Sequence, residues 1–174
     1  KLVLRNEGEY VTTTDKLERL ESQVRLQVPI TTFFDAVAGL RADTPEGPDR
    51  LYGVAGIHGL APQWFEVDLD FFLSDRPWLR FEADYEALIT NYLILTPSLE
   101  VDLPLVDDDP VEAAAWGPKV EVGLRLSYDL VDRSVAPYIG FHYERLFGGT
   151  KDIRTDEGGD GDAFFAVAGM RLMF

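Results

Sequence analysis

Polar and apolar residues alternate along nearly the whole sequence, the period-two pattern of β-strands with two unlike faces. Leu20, Val24, Leu26, Val28 and Ile30 share one parity against Glu21, Gln23, Arg25 and Gln27. Phe34, Ala36, Ala38 and Leu40 oppose Asp35, Val37, Gly39 and Arg41, and Phe65, Val67, Leu69, Phe71 and Leu73 oppose Glu66, Asp68 and Asp70. Leu79, Phe81, Ala83, Tyr85, Ala87 and Ile89 oppose Arg80, Glu82, Asp84 and Glu86. Four further stretches repeat the pattern. Leu93 to Leu103 carries Thr96, Ser98, Glu100 and Asp102 on its polar side, and Val120 to Leu130 runs against Lys119, Glu121, Arg125, Ser127 and Asp129. Pro137, Ile139, Phe141 and Tyr143 run against Tyr138, Gly140, His142 and Glu144. In the last stretch Phe164, Ala166, Ala168, Met170, Leu172 and Phe174 oppose Phe165, Val167, Gly169, Arg171 and Met173. Leu2–Val11 and Leu51–Leu60 alternate more weakly. Helix signals are few: Thr14–Glu21 could start one, and Asp107–Trp116 could form a single turn.

The connections fall into two kinds. Tight ones are expected around Pro29–Thr32, Leu60–Gln63, Thr90–Tyr92 and Asp132–Ser134; longer ones, rich in Gly, Pro and Asp, at Thr44–Asp49, Asp107–Pro118 and Gly148–Asp162. Thr12–Lys16 and Ser74–Pro77 fall in phase with the longer set. Runs of this length suit strands tilted across a bilayer. Short turns at one end and long loops at the other are the asymmetry of a transmembrane up-and-down barrel, with short periplasmic turns and longer extracellular loops. The pattern predicts an all-β, antiparallel barrel of about ten strands, or eight if the two weak strands fail, as one domain over residues 1–174. A soluble sandwich or lipocalin-like barrel also alternates, with its apolar face inward. Three features favour the membrane form: in nearly every strand no charge enters the apolar parity mid-strand, aromatics (Phe34, Phe65, Tyr85, Tyr143, Phe174) stand near strand ends, and the loops are asymmetric.

Composition narrows the function. Lys+Arg 16 against Asp+Glu 31, a formal net charge of -15, argues against nucleic acid, which needs a basic face. No apolar run approaches the length of a transmembrane helix. Lys1–Arg5 already reads as strand, so no signal peptide is expected here. With Cys 0, disulfides, thiolate metal sites and cysteine nucleophiles are excluded. No hydrolase, metalloprotease or phosphate-loop motif occurs, and a non-enzymatic protein is expected. His142 with Ser127 is the one conceivable catalytic pair, and it reads as chance.

Several ordered segments carry a resemblance. Gly56-Ile57-His58-Gly59-Leu60-Ala61-Pro62-Gln63-Trp64-Phe65-Glu66-Val67-Asp68, Leu88-Ile89-Thr90-Asn91-Tyr92-Leu93-Ile94-Leu95-Thr96-Pro97, Glu121 to Tyr128, and Ala136 to Thr150 resemble the copper resistance protein B family of bacterial outer membranes, in order along essentially the whole chain. The resemblance implies an outer-membrane barrel handling copper ions in a metal-tolerance system, facing lipid and working with a periplasmic copper-handling protein. Phe174 resembles the terminal aromatic by which such barrels are recognised for insertion, so the last strand is expected to close against Leu2–Tyr10, giving a monomer without free edges. Members typically carry an N-terminal extension rich in Met and His. This sequence, with Met 2 and His 2, contains no such stretch, so metal chemistry within it rests on histidine and carboxylate.

The candidate ligands all fall on the polar parity. His58 is expected beside Glu66 across the Pro62 turn, and His142 near Glu144, with Arg125 as a competing neighbour; imidazole with carboxylate suits copper(II). Glu82, Glu100 and Glu121 belong to the same acidic face, and hairpin geometry about Asn91 brings Arg80 toward Glu100 or Asp102. Such a face is either a satisfied ionic plug holding a narrow barrel rigid or a cation-attracting path. Met170 is expected on the lipid side as packing, Met173 inward at the last turn. The acidic segments Asp107–Asp109 and Asp156–Asp162 are expected to be solvated loops, since they lack the ligand spacing of a calcium loop.

Overall fold

A computed structural model describes residues 1–11, 16–45, 50–108, 111–130 and 135–172. It is a single antiparallel sheet in chain order: β1 (Leu2–Val11), β2 (Lys16–Pro29), β3 (Phe34–Pro45), β4 (Arg50–Ala61), β5 (Phe65–Leu73), β6 (Trp78–Asp84), β7 (Ala87–Leu88), β8 (Leu93–Pro104), β9 (Lys119–Tyr128), β10 (Val135–Leu146) and β11 (Asp162–Leu172). The eleven segments make ten walls. β6 and β7 lie end to end and pair with β8 in one register, Asp84 with Ser98 and Ala87 with Leu95. The gap falls opposite Pro97, which has no N–H to donate: Tyr85 N–H still reaches the Pro97 carbonyl (3.2 Å), but nothing returns. Both weakly patterned strands form, and the segment expected to start a helix near Thr14 is strand from Lys16 onward.

The short turns reuse one chemistry. In Ile30–Phe34 and in Ile89–Leu93 the threonine after the isoleucine (Thr31, Thr90) accepts the N–H that opens the next strand, 2.9 Å in both. The β4–β5 turn is instead a 3-10 turn at Pro62–Trp64, with Gln63 and Trp64 at positive φ. The longer connections lie at the other end. One of them corrects the sequence reading: Gly148–Asp162 is not simply loop, since Gly148–Asp156 is an α-helix, α1.

The sheet is strongly curled. Arg5 on β1 makes a bidentate ion pair with Glu82 on β6 (2.8 and 3.0 Å), although walls that far apart would lie roughly 24 Å from each other in a flat sheet. Arg25 on β2 reaches Asp70 on β5 at 2.8 Å. These contacts make the charged parity the concave, inner face. Arg41 is 0% exposed, Asp70 1% and Arg25 2%, whereas Leu26 is 54%, Ile139 64% and Phe164 65% exposed. The protein is thus inside-out relative to a soluble barrel. Met170 lies on the exposed apolar side, as expected; Met173 and Phe174 fall outside the described residues.

Inside, β3 to β6 pack an aromatic cluster of Tyr52, Phe72 and Trp78. The Arg41 guanidinium lies over all three rings (4.6–5.3 Å) while pairing with Asp43 at 2.7 Å. Each is at or near the long-loop end of its strand, so this cluster fills one side of the interior there.

Candidate functional site

Directly opposed residues on the inner face form a continuous row: Asp35 (β3), His58 (β4), Asp68 (β5), Glu82 (β6), Glu100 (β8), Glu121 (β9) and Glu144 (β10). Opposed residues line up perpendicular to their strands, so on tilted strands such a row climbs the wall. Asp35 stands next to the short-turn end and Glu144 next to the long-loop end, so the row runs from one mouth to the other. Like charges facing each other across a ladder destabilise a sheet, and here Glu82, Glu100, Glu121 and Glu144 do so in succession. Cations from neighbouring positions hold them. Arg80 lies 2.8 Å from Asp102 and 3.1 Å from Glu100, the hairpin contact expected from the sequence. Lys119 lies 2.6 Å from Glu121 and 3.1 Å from Glu144.

At the short-turn end a cavity of about 410 Å³ is bordered by Asp35, His58, Glu66 and Asp68, and a deeper one of about 130 Å³ continues past His58 and Asp68 toward Arg5 and Arg25. The expected His58–Glu66 pairing does not form: His58 faces Asp68, and Glu66 faces Leu60. Ala61 pairs with Phe65 around the 3-10 turn, and that register sets Asp68 opposite His58. His58 Nε2 lies 2.8 Å from Asp70 Oδ1 and 3.0 Å from Arg25 Nη1. Arginine only donates and carboxylate only accepts, so the protons on the ring decide which of these two contacts is a hydrogen bond. The other ring nitrogen, Nδ1, lies 3.5 Å from Asp68 Oδ2, so the imidazole stands between the carboxylates of Asp68 and Asp70. Gly56 makes this possible, because a Cβ there would collide with the Asp70 carboxylate.

Toward the long-loop end the glutamates converge. Single ligand atoms of Glu121, His142 and Glu144 lie within 4.8 Å of one another, and so do those of Glu100, Asp102 and Glu121, so the two groups share Glu121. His142 Nε2 is 3.0 Å from Glu121 Oε2. Its cross-strand neighbour is Gly123 rather than Arg125, which faces Gly140. Of the sequence candidates, Glu82, Glu100, Glu121, His142 and Glu144 thus join one acidic stretch, while His58 and Glu66 border the opposite mouth. Ser127 faces Tyr138, and its hydroxyl donates to the Ile94 carbonyl, so it makes no pair with His142. Periodicity overlooked Asp68 and Asp70 as the partners of His58, and the aromatic cluster under the long loops. Tyr52, Phe72 and Trp78 share the parity of His58, Asp70 and Arg80, which was the available signal.

Comparison with known proteins bears on this geometry. The profile of the family described as Copper resistance protein B precursor matches residues 1–174. Copper resistance protein B of Escherichia coli is 34% identical over 176 residues, covering 100% of this chain and 58% of the relative. A Copper resistance protein B homolog of Pseudomonas syringae pv. tomato is 34% identical over 177 residues, covering 100% and 59%. The chain therefore spans about three-fifths of the length of these curated relatives.

Proposed function

The chain belongs to the copper resistance protein B family, and from that premise we propose that it is a non-enzymatic outer-membrane β-barrel that binds or passes copper ions through an acidic lumen, serving copper resistance. The observation that carries this reading is the row from Asp35 to Glu144. Its opposed carboxylates are poor sheet design and good cation design: each neighbouring pair offers hard oxygen ligands, with His58 and His142 adding imidazole where copper(II) favours nitrogen. Copper is the cargo, passing between sites that each bind it incompletely, as conduction requires.

The membrane part rests on the inside-out burial. Exposed Leu, Ile and Phe side chains around the whole curled sheet exceed the apolar patches a water-soluble monomer tolerates, and lipid covers such a belt at no cost. β1 and β11 then zip together as the seam of a ten-walled, monomeric ring, because an unpaired edge within hydrocarbon leaves backbone groups unsatisfied. A periplasmic copper-handling protein would meet the short-turn mouth.

A second reading has its own support. The Arg41–Tyr52–Phe72–Trp78 cluster and the cross-interior pairs Arg5–Glu82 and Arg25–Asp70 are what a plugged, structural barrel would contain. Copper(II) titration calorimetry on the protein in detergent, with uptake into proteoliposomes, separates the two. The copper reading expects binding and uptake that both fall in a Glu100→Gln/Glu121→Gln double variant. Absence of copper-dependent heat and uptake in the wild type would leave the structural role.

A further inference from the structure

We infer that the connection between β8 and β9 is a strap across the long-loop mouth, latched by the Arg50–Asp108 ion pair, and that breaking this pair opens the mouth to cations. The inference rests on the barrel and cation-path reading above.

Asp108 lies in an acidic stretch that composition marks as solvated loop, yet it is only 5% exposed. Arg50, the first residue of β4, grips both of its carboxylate oxygens, one at 2.7 Å. A part-buried bidentate pair between a loop and a distant strand is a specific tether, because removing either partner leaves a charge largely withdrawn from water without its counter-charge. Next to it Arg76, in the β5–β6 connection, donates to the Asp107 carbonyl, and the Asp107 side chain accepts Ala115 N–H at 2.8 Å. The strap is thereby fixed to the β4–β6 side.

Its other end is fixed to the β10–β11 side. Thr150 on α1 donates to the Gly117 carbonyl (2.7 Å) and accepts Ala114 N–H (3.0 Å), and Arg154 pairs with Glu112 at 2.9 Å. Phe147 N–H bonds the Pro118 carbonyl at 2.9 Å. Gly117 permits this approach, since a Cβ there would strike Thr150. In the ten-walled ring, β4 and β10 stand on opposite sides, so a segment anchored to both crosses the opening. The Tyr52–Phe72–Trp78 cluster sits at this same end, and together strap and cluster close it.

The strap also stores strain. Glu112 and Trp116 have φ of 54° and 60°, left-handed values that neither residue adopts without being held there. The anchors that hold them differ in kind. The α1 side combines the Arg154–Glu112 pair with the Thr150 and Phe147 bonds to strap backbone, whereas the β4–β6 side holds by two arginines, Arg50 on the Asp108 carboxylate and Arg76 on the Asp107 carbonyl, so the strap should release at Arg50 and hinge at α1.

Asp108→Ala, Arg50→Ala and the exchanged pair Arg50→Asp/Asp108→Arg, each in proteoliposomes loaded with a copper-quenched dye, test this beside a variant with 106–117 replaced by a short Gly-Ser turn. Copper(II) entry and KCl conductance in planar bilayers are the readouts. Both alanine variants should admit copper several-fold faster than wild type, the exchanged pair should return toward wild type, and the strapless variant should be fastest. Should the alanine variants fail to assemble, Asp108→Asn gives the same comparison. Wild-type rates in assembled latch variants, with a conducting strapless variant, overturn the latch and leave the path standing. A strapless barrel that passes no cation overturns the path, and the latch with it.

Discussion

Glu100 on β8 stands directly opposite Glu121 on β9, both on the inner face, with ligand atoms close enough to hold one ion between them. Arg80 pairs with the first and Lys119 with the second. A sheet built for stability alone would place opposite charges there.

Glu100→Gln should therefore stabilise the protein while weakening its copper binding. The expected gain is about 0.2–1 kcal/mol, the size of a cross-strand pair effect, measured by denaturant unfolding in micelles. Calorimetry should show copper affinity down several-fold. Lost stability with unchanged copper affinity would mean that Glu100 serves Arg80 and is no part of a path.

Lys119 competes with any cation for Glu121 and Glu144, at 2.6 and 3.1 Å. Lys119→Met keeps the stem and removes the charge, so copper should bind more tightly near His142. The check is a titration of Lys119→Met against Lys119→Met/His142→Ala, in which only the first should gain affinity.

The Arg25–Asp70 pair is nearly inaccessible from outside and also orients His58. Asp70→Ala leaves Arg25 buried without its counter-charge, a loss expected at about 3–5 kcal/mol. Arg25→Leu/Asp70→Ala should recover much of it. A single variant as stable as wild type, by thermal unfolding in micelles, would contradict the burial of this pair.

The two faces should respond oppositely to arginine. At Leu26 or Ile139, in the exposed apolar belt, an arginine should cost about 2–4 kcal/mol of folding into bilayers if those positions lie near the midplane. Arginine at Ser98, on the inner face opposite Asp84, should be tolerated. Equal, small effects at all three positions would argue for water on both sides of the sheet.

Sequence alone determined the strands and their two unlike faces, because side-chain alternation follows from strand geometry whatever surrounds it. It also determined the acidic character of one face and the placing of long connections at one end. Alternation by itself reads the same from either side, and only the aromatic placement, the charge-free apolar parity and the loop asymmetry favoured the polar face as the inner one. Curling settled that, by bringing Arg5 to Glu82 and Arg25 to Asp70 across the interior. Register, too, was decided in three dimensions. A 3-10 turn at Pro62–Trp64 moved the partner of His58 from Glu66 to Asp68, a difference that residue spacing around a proline could not reveal. The burial of Asp108 was beyond any local pattern, because its partner Arg50 lies far away in the chain and meets it only where the walls stand side by side. The candidate ligands were therefore legible as residue types on one parity. Their grouping into a row from mouth to mouth, and the strap that covers one end of it, belong to the tertiary structure, because only stacking one strand's register upon the next brings residues distant in sequence into contact.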